Sequence, residues 1–158
     1  MSKTLPRYQT NGFIPFGAPP ARRTMPAAAV NIVKGDALHD NTAGYATNAT
    51  TAFAATFLGI AAADCDNSTG NAGDKDVEIY AFDEETQYSV PVAANAVITQ
   101  TAVGTIVDLE ANDDIDISDT TIASGAPGFF IDHIDASAAA VAANTYGYAI
   151  GHFVSHHA

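Results

Sequence analysis

DVEIYAFDEETQYSVPVA, running from Asp76 to Ala93, places two short runs of β-branched and aromatic residues around a polar break, Asp83-Glu84-Glu85-Thr86. Successive side chains of a strand point to opposite faces, so Val77, Ile79 and Ala81 share one face. The two runs, Asp76–Phe82 and Gln87–Ala93, read as a β-hairpin. Pro91 has no N–H to donate and marks the second run as an edge strand.

The same grammar extends in both directions. Upstream, Phe53–Ala63 (FAATFLGIAAA) is mostly apolar and suits a central strand buried on both faces and kinked at Gly59. Before it, Ala29–Lys34 reads as a first strand ended by Gly35-Asp36. A short piece follows at Ala37–His39, then a turn through Asp40-Asn41-Thr42, with Gly44–Ala49 returning beside it. Asp64–Asp74 concentrates Asp, Asn, Ser and Gly and reads as a surface loop. Downstream, Thr99–Gly104 is a polar turn. Thr105–Ala111 and Ile115–Ser118 alternate with period two around Asn112-Asp113-Asp114. Gly128–Asp135 and Tyr146–Ser155 complete the strands, joined by Ala136–Asn144, which has room for one helical turn and is too short to stand alone. The expectation is an all-β fold, a small barrel or sandwich of about 8–10 short strands with an extended N-terminal arm, and no tandem repeat.

Charge divides the chain. Residues 1–35 carry five basic and no acidic residues (+5), whereas residues 36–158 carry Lys75 against eighteen acids (−17), which together give the net −12 of the 158-residue chain. Residues 1–28, with five of the seven prolines, read as an extended basic arm, and residues 29–158 as an acidic β-barrel domain. An arm of this kind buries little surface of its own and is expected to order only against a partner. Its apolar residues Leu5, Tyr8, Phe13, Ile14, Phe16 and Met25 read as docking points, the plainer alternative being a frayed terminus. The acidic body disfavours nucleic acid, because phosphates would meet a surface of their own sign. No run approaches the length of a membrane span, no signal-peptide pattern opens the chain, and the single cysteine, Cys65, allows no intrachain disulfide.

Chemical motifs are sparse. Asp64-Cys65-Asp66-Asn67-Ser68 resembles the start of a calcium loop, but an EF-hand needs Gly and Glu where Thr69 and Lys75 stand. Asp114, Asp116 and Ser118 share a strand face opposite Ile115 and Ile117, which a solvated face explains. His152, His156 and His157 form a weak metal-ligand set at a chain end, and His39 and His133 stand alone. Cys65 lies between Asp64 and Asp66, which raise a thiol's pKa and disfavour the thiolate. Asp132 and Asp135 could pair for acid/base work, but eighteen acidic residues make chance pairs abundant. Asn48-Ala49-Thr50 and Asn67-Ser68-Thr69 fit the glycosylation pattern, which carries little weight without a secretory signal. No nucleophile elbow, P-loop, dinucleotide fingerprint or zinc-protease motif occurs, so neither an enzyme nor a cofactor is expected.

The order of short segments resembles that of the small β-barrel capsid decoration, or cement, proteins of tailed bacteriophages. It runs through Lys34-Gly35-Asp36-Ala37, Gly44-Tyr45, Phe57-Leu58-Gly59-Ile60-Ala61, Gly73-Asp74 and Val77-Glu78-Ile79-Tyr80. It continues with Thr101-Ala102-Val103-Gly104, Val107-Asp108, Asp114–Ile117, Gly128-Phe129-Phe130-Ile131-Asp132 and Tyr148-Ala149-Ile150-Gly151. The resemblance covers residues 30–154 and implies a barrel whose last aromatic strand closes against the first. It also implies a protein made in the host cytoplasm and displayed on the outer surface of the virion. There it would bridge major capsid protein subunits, with neighbouring copies of itself as a trimer, and stabilise the head against genome pressure. The arm is not part of the resemblance, but it suits a tether. Arg7, Arg22 and Arg23 would meet capsid carboxylates, and Tyr8, Phe13, Ile14 and Phe16 would fill apolar grooves. The competing readings are a virion-surface adhesion module binding glycans through Asp64–Asp74 and Asp83–Thr86, a minor head or tail β-barrel protein, and a small hydrolase on a β scaffold.

Overall fold

A computed structural model describes residues 12–93 and 97–155. The chain is all-β, as its alternation predicts, and is organised as two β units rather than one. The larger is a closed barrel. β9 (Gln87–Ala93), β11 (Asp114–Asp116), β10 (Ile106–Ala111), β12 (Pro127–Asp135) and β13 (Tyr148–Ser155) lie side by side in that order, and β13 returns to pair with β9. The smaller is a five-stranded sheet ordered β2 (Arg22–Pro26), β8 (Asp76–Ala81), β6 (Phe57–Ala61), β4 (Ala37–Asp40) and β5 (Ala46–Asn48). A single parallel bridge between Ala27 and Ala46 ties its two ends together. β3 (Asn31–Ile32) and β7 (Cys65–Asp66) form a short ribbon beside it.

Each unit has its own core. The barrel buries an aromatic cluster in which Phe153 contacts the rings of Phe13, Phe53, Phe57, Phe82, Tyr88 and Phe129 at centroid distances of 5.0–6.2 Å. The smaller unit buries Ala27, Ile32, Leu38, Ala46, Ala61, Cys65, Val77 and Ile79, with no ring among them. Three of its strands serve both cores. Ala37, Ile60 and Tyr80 face the barrel's cluster, while their chain neighbours Leu38, Ala61 and Ile79 face the smaller one. The middle of the smaller sheet is therefore buried on both faces, which is why Phe57–Ala61 is uniformly apolar; the strand is shorter than the expected Phe53–Ala63, with Ala55 and Thr56 exposed before it.

The kink expected at Gly59 is present. The β4–β6 register slips there, and Gly59 has φ +139°, with a Cβ placed on it falling 2.0 Å from the carbonyl oxygen of Tyr80. The slip lets both Phe57 and Ile60 reach the barrel core from one strand, a change of face that strict alternation forbids. β4 and β5 form an antiparallel pair as expected, and β10 and β11, the two alternating runs around residues 112–114, also pair antiparallel. The Ala-rich link gives one short helix, α1 (Ala138–Ala143), capped by the Ser137 hydroxyl, which accepts from the Ala140 N–H at 3.3 Å.

Three expectations need correction. The runs at residues 76–93 are not a hairpin: β8 lies in the smaller sheet and β9 in the barrel, so the polar break is the crossover between units. β9 is not an edge strand, since β13 flanks one side and β11 and β1 (Ile14–Pro15) flank the other end to end. The Val92 N–H points to Gly147 on the β13 side, so the missing donor of Pro91 falls on the opposite side, in the gap between β1 and β11. And β13 closes the barrel against β9, whereas only Asn31–Ile32 of the expected first strand is paired, with β7.

Candidate interaction surface

The N-terminal segment is built into both units from Gly12 onward. The Gly12 N–H donates to the Asp113 carbonyl (2.8 Å), that of Phe13 to Gly35 (2.9 Å) and that of Phe16 to Gln87 (2.7 Å). Gly12 and Gly35, at φ +90° and +97°, pass so closely that a Cβ on Gly12 would lie 2.9 Å from the Gly35 Cα. This contact brings Phe13 into the barrel core at 1% exposure, edge-on to Phe129 and Tyr88. After a crossing at residues 17–21 the chain pairs with β8 as β2, and Met25 packs on the smaller core. The expectation that residues 1–28 order only against a partner is thus corrected for residues 12–28. Two of its four prolines sit on strands with one neighbour each, Pro15 on β1 and Pro26 on β2, where a missing donor costs nothing, and Pro19 and Pro20 lie in the crossing between them.

The expected contact residues therefore separate. Phe13 is core and unavailable for docking. Ile14 and Phe16 are half-buried beside β9. Arg22 and Arg23 are exposed on β2, whose outer edge pairs with no described residue. The Arg22 guanidinium reaches Glu78 and the Tyr80 hydroxyl, each at 3.4 Å, and lies 5.2 Å from the Tyr80 ring centre. Arg7 and Tyr8 lie outside the described residues. Residues 12–35 contain Arg22, Arg23 and Lys34 and no acid, and Arg22 and Arg23 put two exposed guanidinium groups on this edge, one towards each face of the sheet, beside Asp76 and Glu78 of β8.

Acidic groups collect where the units meet. Asp36, 6% exposed, accepts from the Val33 N–H at 2.8 Å, and burial, with Asp113 and Asp64 nearby, pushes it up to about 6. Asp114 is also pushed up to about 6, by burial first and then by Asp113 and Glu110, and its Oδ1 is buried without a partner. Asp108, 2% exposed, accepts from the N–H groups of Phe53 (2.6 Å) and Leu109 (2.8 Å), pinning the entry to β6 onto the barrel. Burial raises its pKa against those two bonds.

A second feature lies on the barrel wall, where a cleft of about 450 Å³ is lined by Phe16, Ala18, residues 84–87, Asp132 and His152. Asp132 Oδ2 meets His152 Nδ1 at 2.8 Å and accepts from Gln87 Nε2 at 3.1 Å, and the imidazole lies 5.2 Å from the Phe130 ring. The sequence places Asp132 beside Asp135 and His152 beside His156, and gives no sign of this pair. A bulge makes it. The β12–β13 register steps from Ile131↔Gly151 to His133↔Ile150, leaving Asp132 as the extra residue next to His152. Gly151 permits the close approach, since a Cβ there would fall 2.0 Å from the Phe130 carbonyl oxygen. The loop at the rim is fixed by Asp83, whose carboxylate accepts from the N–H groups of Glu85 and Thr86 and from the Thr86 hydroxyl at 2.7–3.0 Å.

The segment read as a calcium-like surface loop is structural at its centre. Asn67 is 1% exposed and its amide donates to the carbonyls of Asn71 (2.9 Å), Ala28 (3.2 Å) and Ala27 (3.4 Å), holding the end of the N-terminal segment. That commitment removes Asn67 as a glycan acceptor in the folded chain. Asp66 accepts from the hydroxyl and N–H of Ser68, which hold it below the usual carboxylate range. Cys65 is buried and its thiol is raised by that burial, with Asp66 and Asp76 adding to it and Lys75 opposing. His133 is exposed, and His39 is half-buried, its pKa lowered by burial. Among the described residues no three His, Cys, Asp or Glu side chains are grouped to hold a metal ion, and no helix is long and apolar enough to cross a membrane. No protein-family model and no curated protein matches the chain.

Proposed function

We propose that the chain is a capsid decoration protein of a tailed bacteriophage, bound to the outer surface of the head and bridging subunits of the major capsid protein. The observation that carries this reading is the outer edge of β2, which carries the exposed Arg22 and Arg23 and pairs with no described residue, on a chain that is otherwise strongly acidic. Two arginines on a surface of the opposite sign favour docking at this edge and leave the remainder repelling other particles. An open strand edge also supplies main-chain donors and acceptors for an extended segment of the partner. The order of segments resembling phage cement proteins supports the same reading. Copies bound around one symmetry axis of the head, as a trimer, would add weak contacts by multivalency.

The test is co-sedimentation with expanded capsids that lack the protein. Starting the chain at Ala27 is unsuitable, because it removes Phe13 from the barrel core and β2 from the smaller sheet. Three chains are compared instead: the full chain, one starting at Gly12, and the full chain with Arg22→Gln and Arg23→Gln. Binding by the full chain that weakens in salt and falls with the paired substitution is expected. Absence of binding by the full chain would sink the proposal, and loss on removing residues 1–11 alone would assign the docking to Arg7 and Tyr8.

A further inference from the structure

We propose that the cleft between β9, the β12 bulge and residues 16–18 binds a saccharide without acidic groups, through Gln87, Asp132 and His152. None of the residues lining the cleft is an arginine of β2, so the inference is independent of the capsid reading. Its volume of about 450 Å³ suits a small ligand, and its lining combines one half-buried ring, Phe16, with a row of planar polar side chains. Mutual bonds hold that row in place before any ligand arrives. Asp132 Oδ2 is occupied by His152 Nδ1 and Gln87 Nε2, and Asp132 Oδ1, Gln87 Oε1 and His152 Nε2 have no hydrogen-bond partner among the described residues and are the atoms offered to a ligand. Glu85 at the rim adds acceptors, while Glu84 already accepts from the Ser155 N–H at 2.6 Å.

The available atoms are mostly acceptors and call for a ligand rich in donors. Adjacent sugar hydroxyls supply donors at the spacing of one carboxylate or amide. Charge narrows the class. Among the described residues Glu84, Glu85 and Asp132 line the cleft with no Lys or Arg, so sialylated, sulfated or phosphorylated sugars are repelled, whereas neutral and amino sugars are not. No metal ion is needed, because the donors and acceptors meet the hydroxyls directly.

The purified full chain would be applied, with a chelator present, to an array holding neutral, amino, sialylated and sulfated glycans. The best ligand would then be titrated against the unaltered chain and against the Gln87→Ala and Asp132→Asn variants, each checked for an unchanged melting curve. Neutral or amino glycans should bind, with affinity falling about tenfold or more in each variant. Failure of any glycan to bind, a preference for anionic glycans, or binding unchanged in both variants would overturn the proposal.

Discussion

The two β units solve one problem with different means. The barrel is closed by hydrogen-bonded strand pairs around its whole circumference and filled by rings that meet at Phe153. The smaller unit is closed by one bridge, at Ala27 and Ala46, and filled by small aliphatic side chains. Where the barrel relies on ladder and aromatic area, the smaller unit relies on what surrounds it: the barrel packed on one face of its central strands and the Asn67 amide gripping the end of the N-terminal segment. The difference teaches that the smaller unit is a dependent one. Its order should follow the barrel's, while the barrel should withstand local damage to it.

The severest way to break the comparison is Phe153→Ala. Removing the ring that joins Phe13, Phe53, Phe57 and Phe129 should cost about 3–5 kcal/mol. Because Ile60 and Tyr80 pack on the same cluster, both units should unfold together in a denaturant titration followed by tyrosine fluorescence and by far-ultraviolet circular dichroism. Separate transitions would show that the smaller unit stands alone.

Asn67→Ala sharpens the comparison from the other side. Loss of the amide leaves the carbonyls of Ala27, Ala28 and Asn71 without that donor and should cost about 1–3 kcal/mol. Hydrogen exchange should quicken at the Ala27 and Gly73 amides, which bond across this corner, and stay slow at Ile131 within the barrel. Equal quickening at Ile131 would mean that the barrel depends on the smaller unit after all.

The smallest effect concerns the seam between the units. Asp36 and Asp114 titrate near 6 in the folded chain against a usual value of 3.8, so folding favours their protonated forms. Their contribution to stability is fully present below about pH 4 and is lost as pH rises through about 6. Asp66, whose pKa is lowered, acts in the opposite direction, but only below its ordinary value, outside this window. His39, whose pKa burial lowers, opposes the fall just below its ordinary 6.5, but one imidazole stands against three raised carboxyls, Asp36, Asp114 and Asp108, so melting temperature should fall between pH 4 and 6. Asp114→Asn should flatten that slope and raise the melting temperature at pH 7.5 by a few degrees. A slope unchanged by the substitution would place the titration elsewhere.

Legibility in the sequence followed the range of the interactions. β4 with β5, the β10–β11 pair, the short α1 helix and the kink at Gly59 are local, and turn residues and alternation announce them. The run from Asp76 to Ala93 was misleading because two strands joined by a short polar link look the same whether they pair with each other or with others. The N-terminal segment was misleading for a different reason. Proline density argues against central strands, and β1 and β2 are not central. Phe13 gives no local sign of burial, since its partners are more than seventy residues away. The Asp132–His152 pair was equally hidden: a one-residue bulge between distant strands has no signature in either strand alone.

What the amino-acid order determined by itself is the all-β class, the positions of most turns and the separation of a basic N-terminal segment from an acidic remainder. These follow from side-chain alternation, turn chemistry and charge, all of which act over a few residues. Tertiary structure alone decided that there are two β units, that the N-terminal segment from Gly12 belongs to both, and that Gln87, Asp132 and His152 meet at one cleft. Those outcomes depend on which strands pair and in what register, and pairing is settled only when side chains far apart in the chain are buried against one another.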